Sequence, residues 1–106
     1  MTGILGLAPG DEDSNPLFID YLFNAGKIKK KQFSILLNPR LEGESFIAFG
    51  GLPTGYSAEN MTCHKISGSY HWELKLNALA YKGKQVDIGS THLAFMDTGS
   101  TISLFP

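Results

Sequence analysis

A mainly β fold carrying one short helix is what this sequence predicts, on three observations. Short stretches alternate apolar and polar residues at period two, as in Phe33–Leu37 and His71–Ala80. Twelve glycines and five prolines are spread along the chain rather than clustered, as a turn-rich β protein requires. One segment alone, residues 16–25, has the spacing and the ends of a helix.

The 106 residues suffice for one small domain with a modest core. Nine Lys and Arg against ten Asp and Glu exclude an electrostatic case for nucleic acid or an anionic membrane as partner. Lys27, Lys29, Lys30 and Lys31 read as a solvated loop that guards an edge strand. Cys63 is the single cysteine, so no intrachain disulfide forms. No apolar run approaches the roughly 20 residues of a membrane helix. The opening lacks the basic segment and apolar stretch of a signal peptide, so the address of a secreted protein is expected outside these residues.

In chain order, the small and apolar stretch Met1–Ala8 reads as a short buried strand entering a turn at Pro9-Gly10. Residues 11–15 alternate oxygen ligands like the start of a calcium loop. Pro16 stands where that pattern needs glycine and Leu22 where it needs glutamate, so acidic residues leading a helix explain the run better. Ser14 or Asn15 caps the helix, Pro16 sits in its first turn and Gly26 ends it. Leu17, Phe18, Tyr21 and Leu22 form its apolar stripe.

Strands follow at 33–37, at 45–49 (stopped by Gly50-Gly51) and at 59–66. The next, 71–80, puts Trp72, Leu74 and Leu76 on one face, with Trp72 expected in the core. Lys82-Gly83-Lys84 turns the chain into a return strand through Val86 and Ile88, and 93–96 is the last strand. Asn60-Met61-Thr62 is an acceptor sequon for N-glycosylation, meaningful in a secreted protein.

Chemistry narrows to one carboxylate. Cys63, His64, His71 and His92 lack the spacing that brings two ligands onto one ion. Cys63 and His64 as strand neighbours point to opposite faces, which disfavours a nucleophile pair. In Phe95-Met96-Asp97-Thr98-Gly99-Ser100-Thr101 an apolar strand delivers Asp97 into a turn of small and hydroxylated residues. The strand holds the carboxylate rigid, Gly99 lets the backbone bend, and the hydroxyls and amides after it can orient the carboxylate oxygens. Asp-Thr-Gly alone recurs by chance; its context raises it.

That context is an ordered series: Gly3-Ile4-Leu5-Gly6-Leu7, the helix with Pro16-Leu17-Phe18 and Gly26, Phe33-Ser34-Ile35-Leu36-Leu37, Phe49-Gly50-Gly51, Tyr70-His71-Trp72-Glu73-Leu74, Tyr81-Lys82-Gly83 and Asp97-Thr98-Gly99-Ser100-Thr101. In this order the text resembles the middle of a pepsin-like aspartic protease over essentially the whole chain. The resemblance implies a partial pepsin-like acid protease fold: residues 1–52 ending the first lobe and supplying inter-lobe sheet strands, residues 53–106 forming the first half of the second lobe. It implies that Asp97 is the second lobe's catalytic aspartate, supported by Thr98, Gly99 and Ser100. Phe95 and Thr101 match positions near the substrate cleft, and His71 falls where the family often places an aromatic cleft residue. Asn60 is the candidate glycosylation site.

The implied activity is endoproteolysis of protein and peptide substrates in acid, with neither metal nor cofactor, in a secreted, lysosomal or vacuolar setting. Nucleic acid and membrane are not expected partners. The first lobe's Asp-Thr/Ser-Gly, the tyrosine flap and the text after Pro106 are absent, and the loop at Ile88-Gly89-Ser90-Thr91 lacks the cysteines many relatives carry. The chain is thus expected to be an internal fragment, inactive without the first lobe and the rest of the second. The alternatives are a non-catalytic pepsin-fold binder or inhibitor, an inactive gene fragment, and a retroviral-type homodimer, which would place its aspartate early in the chain.

Overall fold

A computed structural model describes residues 3–10, 15–40, 42–90 and 93–104. Residues 11–14 of the calcium-like run, with Ser14 as a cap, and Thr91 and His92 lie outside the described residues. The chain divides into two compact units, Met1–Leu7 with Ser14–Thr62, and Ala8–Asp13 with Cys63–Pro106. Among the described residues the secondary structure is mainly β, with a single helix.

The first unit holds α1 (Phe18–Asn24), β1 (Phe33–Leu36) and β2 (Phe46–Phe49). The helix starts two residues later than Pro16, with Leu17 rather than Asn15 at its N-cap. Leucine has no acceptor to offer, so the end is held from inside: the Asp20 carboxylate accepts the Leu17 N–H at 2.9 Å. Lys31 Nζ lies 2.7 Å from the same carboxylate. These two donors, Lys31 first, hold the Asp20 carboxyl below its ordinary range.

The far end behaves as its glycine predicts. Gly26 adopts φ +66, the Gly26 N–H reaches the Phe23 carbonyl at 3.0 Å, and the Lys27 N–H reaches Leu22 at 2.9 Å. This paired closure satisfies two carbonyls that the helix leaves open. A Cβ at Gly26 meets nothing within 4 Å, so the cost of Gly26→Ala is conformational rather than steric. We expect it to weaken the closure by about 1 kcal/mol, and hence to speed hydrogen exchange of the Lys27 amide about fivefold. An unchanged rate would show that the left-handed turn does not set the helix end.

β1 and β2 run antiparallel, with Phe33 opposite Phe49 and Ile35 opposite Ile47. Phe18 of α1 meets Phe49 edge to face at 5.4 Å, and Phe46 meets Tyr56 at 5.3 Å. Gly50 terminates β2 at φ +89, and a side chain there would come within 3.0 Å of Ile28. The strand expected at 59–66 does not form. Instead the Met61 N–H closes a turn onto the Ala58 carbonyl at 2.9 Å, and residues 61–65 are exposed.

The second unit holds β3 (Glu73–Lys75), β4 (Leu79–Tyr81), β5 (Lys84–Val86) and β6 (Leu93–Phe95). β4 and β5 form a hairpin whose two-residue loop, Lys82 at φ +48 and Gly83 at φ +77, has the doubly positive geometry that matches strand twist. The single strand expected over 71–80 is thus two strands, because β3 pairs with β6 while β4 pairs with β5. β3 and β6 are antiparallel, with Glu73 opposite Phe95 and Lys75 opposite Leu93.

The expected core is not closed: no described residue is buried, and Trp72 is 36 % exposed. Gly3–Leu7 forms no strand, and Ile4 is 88 % exposed. An apolar strand needs paired backbone and a covered face, and among the described residues none of the paired strands takes this segment as a neighbour.

Candidate active site

Asp97 follows directly on β6, and β6 is placed by its ladder with β3. That ladder runs one residue past the strand: the Met96 N–H donates to the Trp72 carbonyl at 2.9 Å. The backbone feeding Asp97 is therefore anchored up to the residue before it. Just before β3, the His71 ring meets the Phe95 ring of β6 edge to face at 5.7 Å.

Beyond Asp97 the chain turns tightly. Asp97 Oδ1 accepts the Gly99 N–H at 2.8 Å, Asp97 Oδ2 accepts the Ser100 hydroxyl at 2.9 Å, and the Ser100 N–H reaches the Asp97 carbonyl at 3.3 Å. Both carboxylate oxygens thus have a donor from within the turn, which sets the carboxylate's orientation without a partner from elsewhere. Gly99 is favoured for a reason the sequence did not expose. Its φ is not positive, but a Cβ there would stand 3.1 Å from Asp97 Oδ1. Closeness of the carboxylate, not backbone handedness, disfavours a side chain, which Asp97 would have to admit by giving way a few tenths of an ångström.

Hydrogen bonds donated to a carboxylate favour its charged form. The Gly99 N–H, then the Ser100 hydroxyl, hold the Asp97 carboxyl below its ordinary range, with a smaller contribution from the nearby His71 charge. A depressed folded-state pKa stabilises the turn at pH above the ordinary carboxylate value, and that contribution is lost as pH falls through the lowered one. Asp97 is exposed, so solvent screens the effect. Ser100→Ala removes one donor and should raise the Asp97 pKa toward the ordinary carboxylate value, read from the side-chain carboxyl carbon in an NMR titration. An unmoved midpoint would show that the hydroxyl does not engage the charged form.

The structure therefore brings together Asp97, Gly99, Ser100, Phe95 and His71. Thr98 and Thr101 follow in the same exposed segment, and neither side chain makes a hydrogen bond among the described residues. Sequence reasoning missed the Trp72 carbonyl as the anchor of Met96. The signal was present in the alternation on either side of Trp72, but register between strands so far apart in sequence is not readable from one strand. Cys63 and Asn60 are both exposed and lie outside this cluster.

Known proteins bear on this arrangement. The family model described as eukaryotic aspartyl protease matches residues 1–106. Pepsin A of Rhinolophus ferrumequinum is 27% identical over 103 residues, covering 94% of this chain and 26% of that protein. Pepsin-3 of Oryctolagus cuniculus is 28% identical over 107 residues, with 98% of this chain and 27% of that protein covered. Pregnancy-associated glycoprotein 2 of Bos taurus is 30% identical over 107 residues, with 98% and 28% covered. The chain spans about a quarter of the length of these curated relatives. With the family match extending over every residue and a strand-held, turn-oriented aspartate in Asp-Thr-Gly, the chain belongs to the eukaryotic aspartyl protease family.

Proposed function

We propose that this chain supplies one of the two aspartates of an acid endopeptidase, and that Asp97 is that residue. The observation that carries the reading is the carboxylate turn, in which Gly99 and Ser100 each occupy one oxygen of Asp97. Peptide hydrolysis by this chemistry needs one carboxylate to take a proton from water and a second, protonated, to donate to the peptide carbonyl. Two carboxylates a few ångströms apart do not both ionise readily, so the pair shares a proton and works in acid. A carboxylate whose turn already favours its charged form suits the ionised, proton-accepting member.

In this reading, residues 1–52 end a first lobe and add strands to an inter-lobe sheet, and residues 53–106 begin a second lobe. Thr98 joins the hydroxyl support beneath the cleft, while Phe95, Thr101 and His71 face substrate. The other aspartate comes from outside this chain. Substrates are proteins and peptides with hydrophobic residues around the cut. Because the shared proton demands acid, the working compartment is secretory, lysosomal or vacuolar. No helix among the described residues is long and apolar enough to cross a membrane.

The second reading is a non-catalytic pepsin-fold protein or an inactive gene fragment. Asp97 argues against it, and the other aspartate, outside these residues, decides. One assay separates the two. The full-length product of the gene, presented with a protein substrate at acid pH, should release peptides and be blocked by a transition-state analogue of peptide hydrolysis. A folded product that binds the analogue but releases nothing would establish the non-catalytic reading.

A further inference from the structure

We propose that Asn60 is an N-glycosylation acceptor, and that its glycan keeps the segment from Thr54 to Lys65 on the solvent side of the working protein. The inference depends on the secretory routing in the functional reading above but not on its catalysis. Three observations converge on the residue. Asn60-Met61-Thr62 is the only Asn-x-Ser/Thr triplet with a non-proline middle residue in the sequence. Asn60 is the third residue of the β-turn closed by the Met61 N–H on the Ala58 carbonyl at 2.9 Å, so it projects from a bend rather than from a ladder. Every residue from 54 to 65 is exposed, and the Asn60 side-chain amide makes no hydrogen bond among the described residues.

The chemistry asks little more of this chain. The donor is a lipid-linked oligosaccharide pyrophosphate. Asn60 Nδ2 forms a bond to the anomeric carbon of the first sugar, the bond from that carbon to the pyrophosphate oxygen breaks, and the amide nitrogen loses one proton to solvent. The Thr62 hydroxyl is the part of the triplet that the transferase reads. Attachment at Nδ2 breaks no contact in the folded turn. It also places a hydrated polymer on the residue before Met61, which is 57 % exposed. A bulky, solubilising group there is incompatible with burying this segment against another protein surface.

The test translates the whole chain, behind a cleavable signal peptide and with a control sequon on an added C-terminal tag, in the presence of microsomes. Two glycan steps, each removed by an endoglycosidase, are expected. Thr62→Ala and Asn60→Gln should each lose one step, while Thr62→Ser should keep it. A chain whose tag is glycosylated but whose Asn60 is not overturns the proposal, since translocation has then been shown and the acceptor has failed. Because the signal peptide is supplied, that failure is distinct from failure of the functional reading.

Discussion

Asp97→Asn in the full-length product of this gene should lower hydrolysis of a protein substrate at acid pH by at least about 10²- to 10⁴-fold, the range lost with a positioned acid or base. Asparagine keeps the shape and an oxygen acceptor for the Gly99 N–H, found at 2.8 Å from Asp97 Oδ1. It cannot hold or exchange the proton that the mechanism moves. The turn should therefore survive while the chemistry does not. Unchanged amide chemical shifts around Gly99 and Ser100, measured on the same variant, would show that the turn is intact. Near-parental turnover by a folded Asp97→Asn protein would remove Asp97 from the mechanism. The loss should be in kcat more than in KM, because the carboxylate acts on the reacting atoms and not on the flanking side chains that Phe95, Thr101 and His71 are proposed to contact.

The parts of this structure legible in the sequence are those set by local chemistry. Gly26 with its positive φ, the Lys82-Gly83 hairpin turn and the Gly50 stop each follow from a backbone conformation that few other residues adopt. The Asp97 turn was legible on a different local ground, since Asp, Gly and Ser bond one another within four residues. Helix α1 was found but started too early, because Asn15 and Pro16 are good starters by type while Asp20 reaching back to Leu17 depends on side-chain direction.

What was not legible depends on partners distant in sequence. The alternation over 71–80 looks like one strand, yet β3 and β4 belong to different sheets because their partners, β6 and β5, lie at different places. Residues 59–66 have enough β-favouring side chains to suggest a strand, but among the described residues no strand pairs with them, and the Ala58–Met61 turn wins. The core was the largest miss. Leu5, Leu37 and Met96 are apolar enough to predict burial, but apolarity states only that a cover is favourable, not that this chain provides one.

The 106 residues on their own should neither cleave peptides in acid nor unfold sharply. The catalytic half of this expectation follows from proton counting. Asp97 is held in its charged form by Gly99 and Ser100, and a lone charged carboxylate has no complementary proton to donate to the peptide carbonyl. The folding half follows from exposure. No described residue is buried. Among the described residues each sheet is two strands wide, a size that is marginal in water unless a face is covered. Every described strand is consequently an edge strand, with apolar residues such as Ile35, Ile47 and Phe95 exposed beside it. Open strand edges flanked by exposed apolar side chains are templates for pairing, so these edges are expected to seek other strands, including those of a second copy. Thermal unfolding of the purified chain should therefore be broad, and sedimentation should show association that grows with concentration. No acid peptidase activity sensitive to a transition-state analogue should accompany it. A monomer that melts in one cooperative step and cleaves peptides would show instead that the chain is an autonomous enzyme.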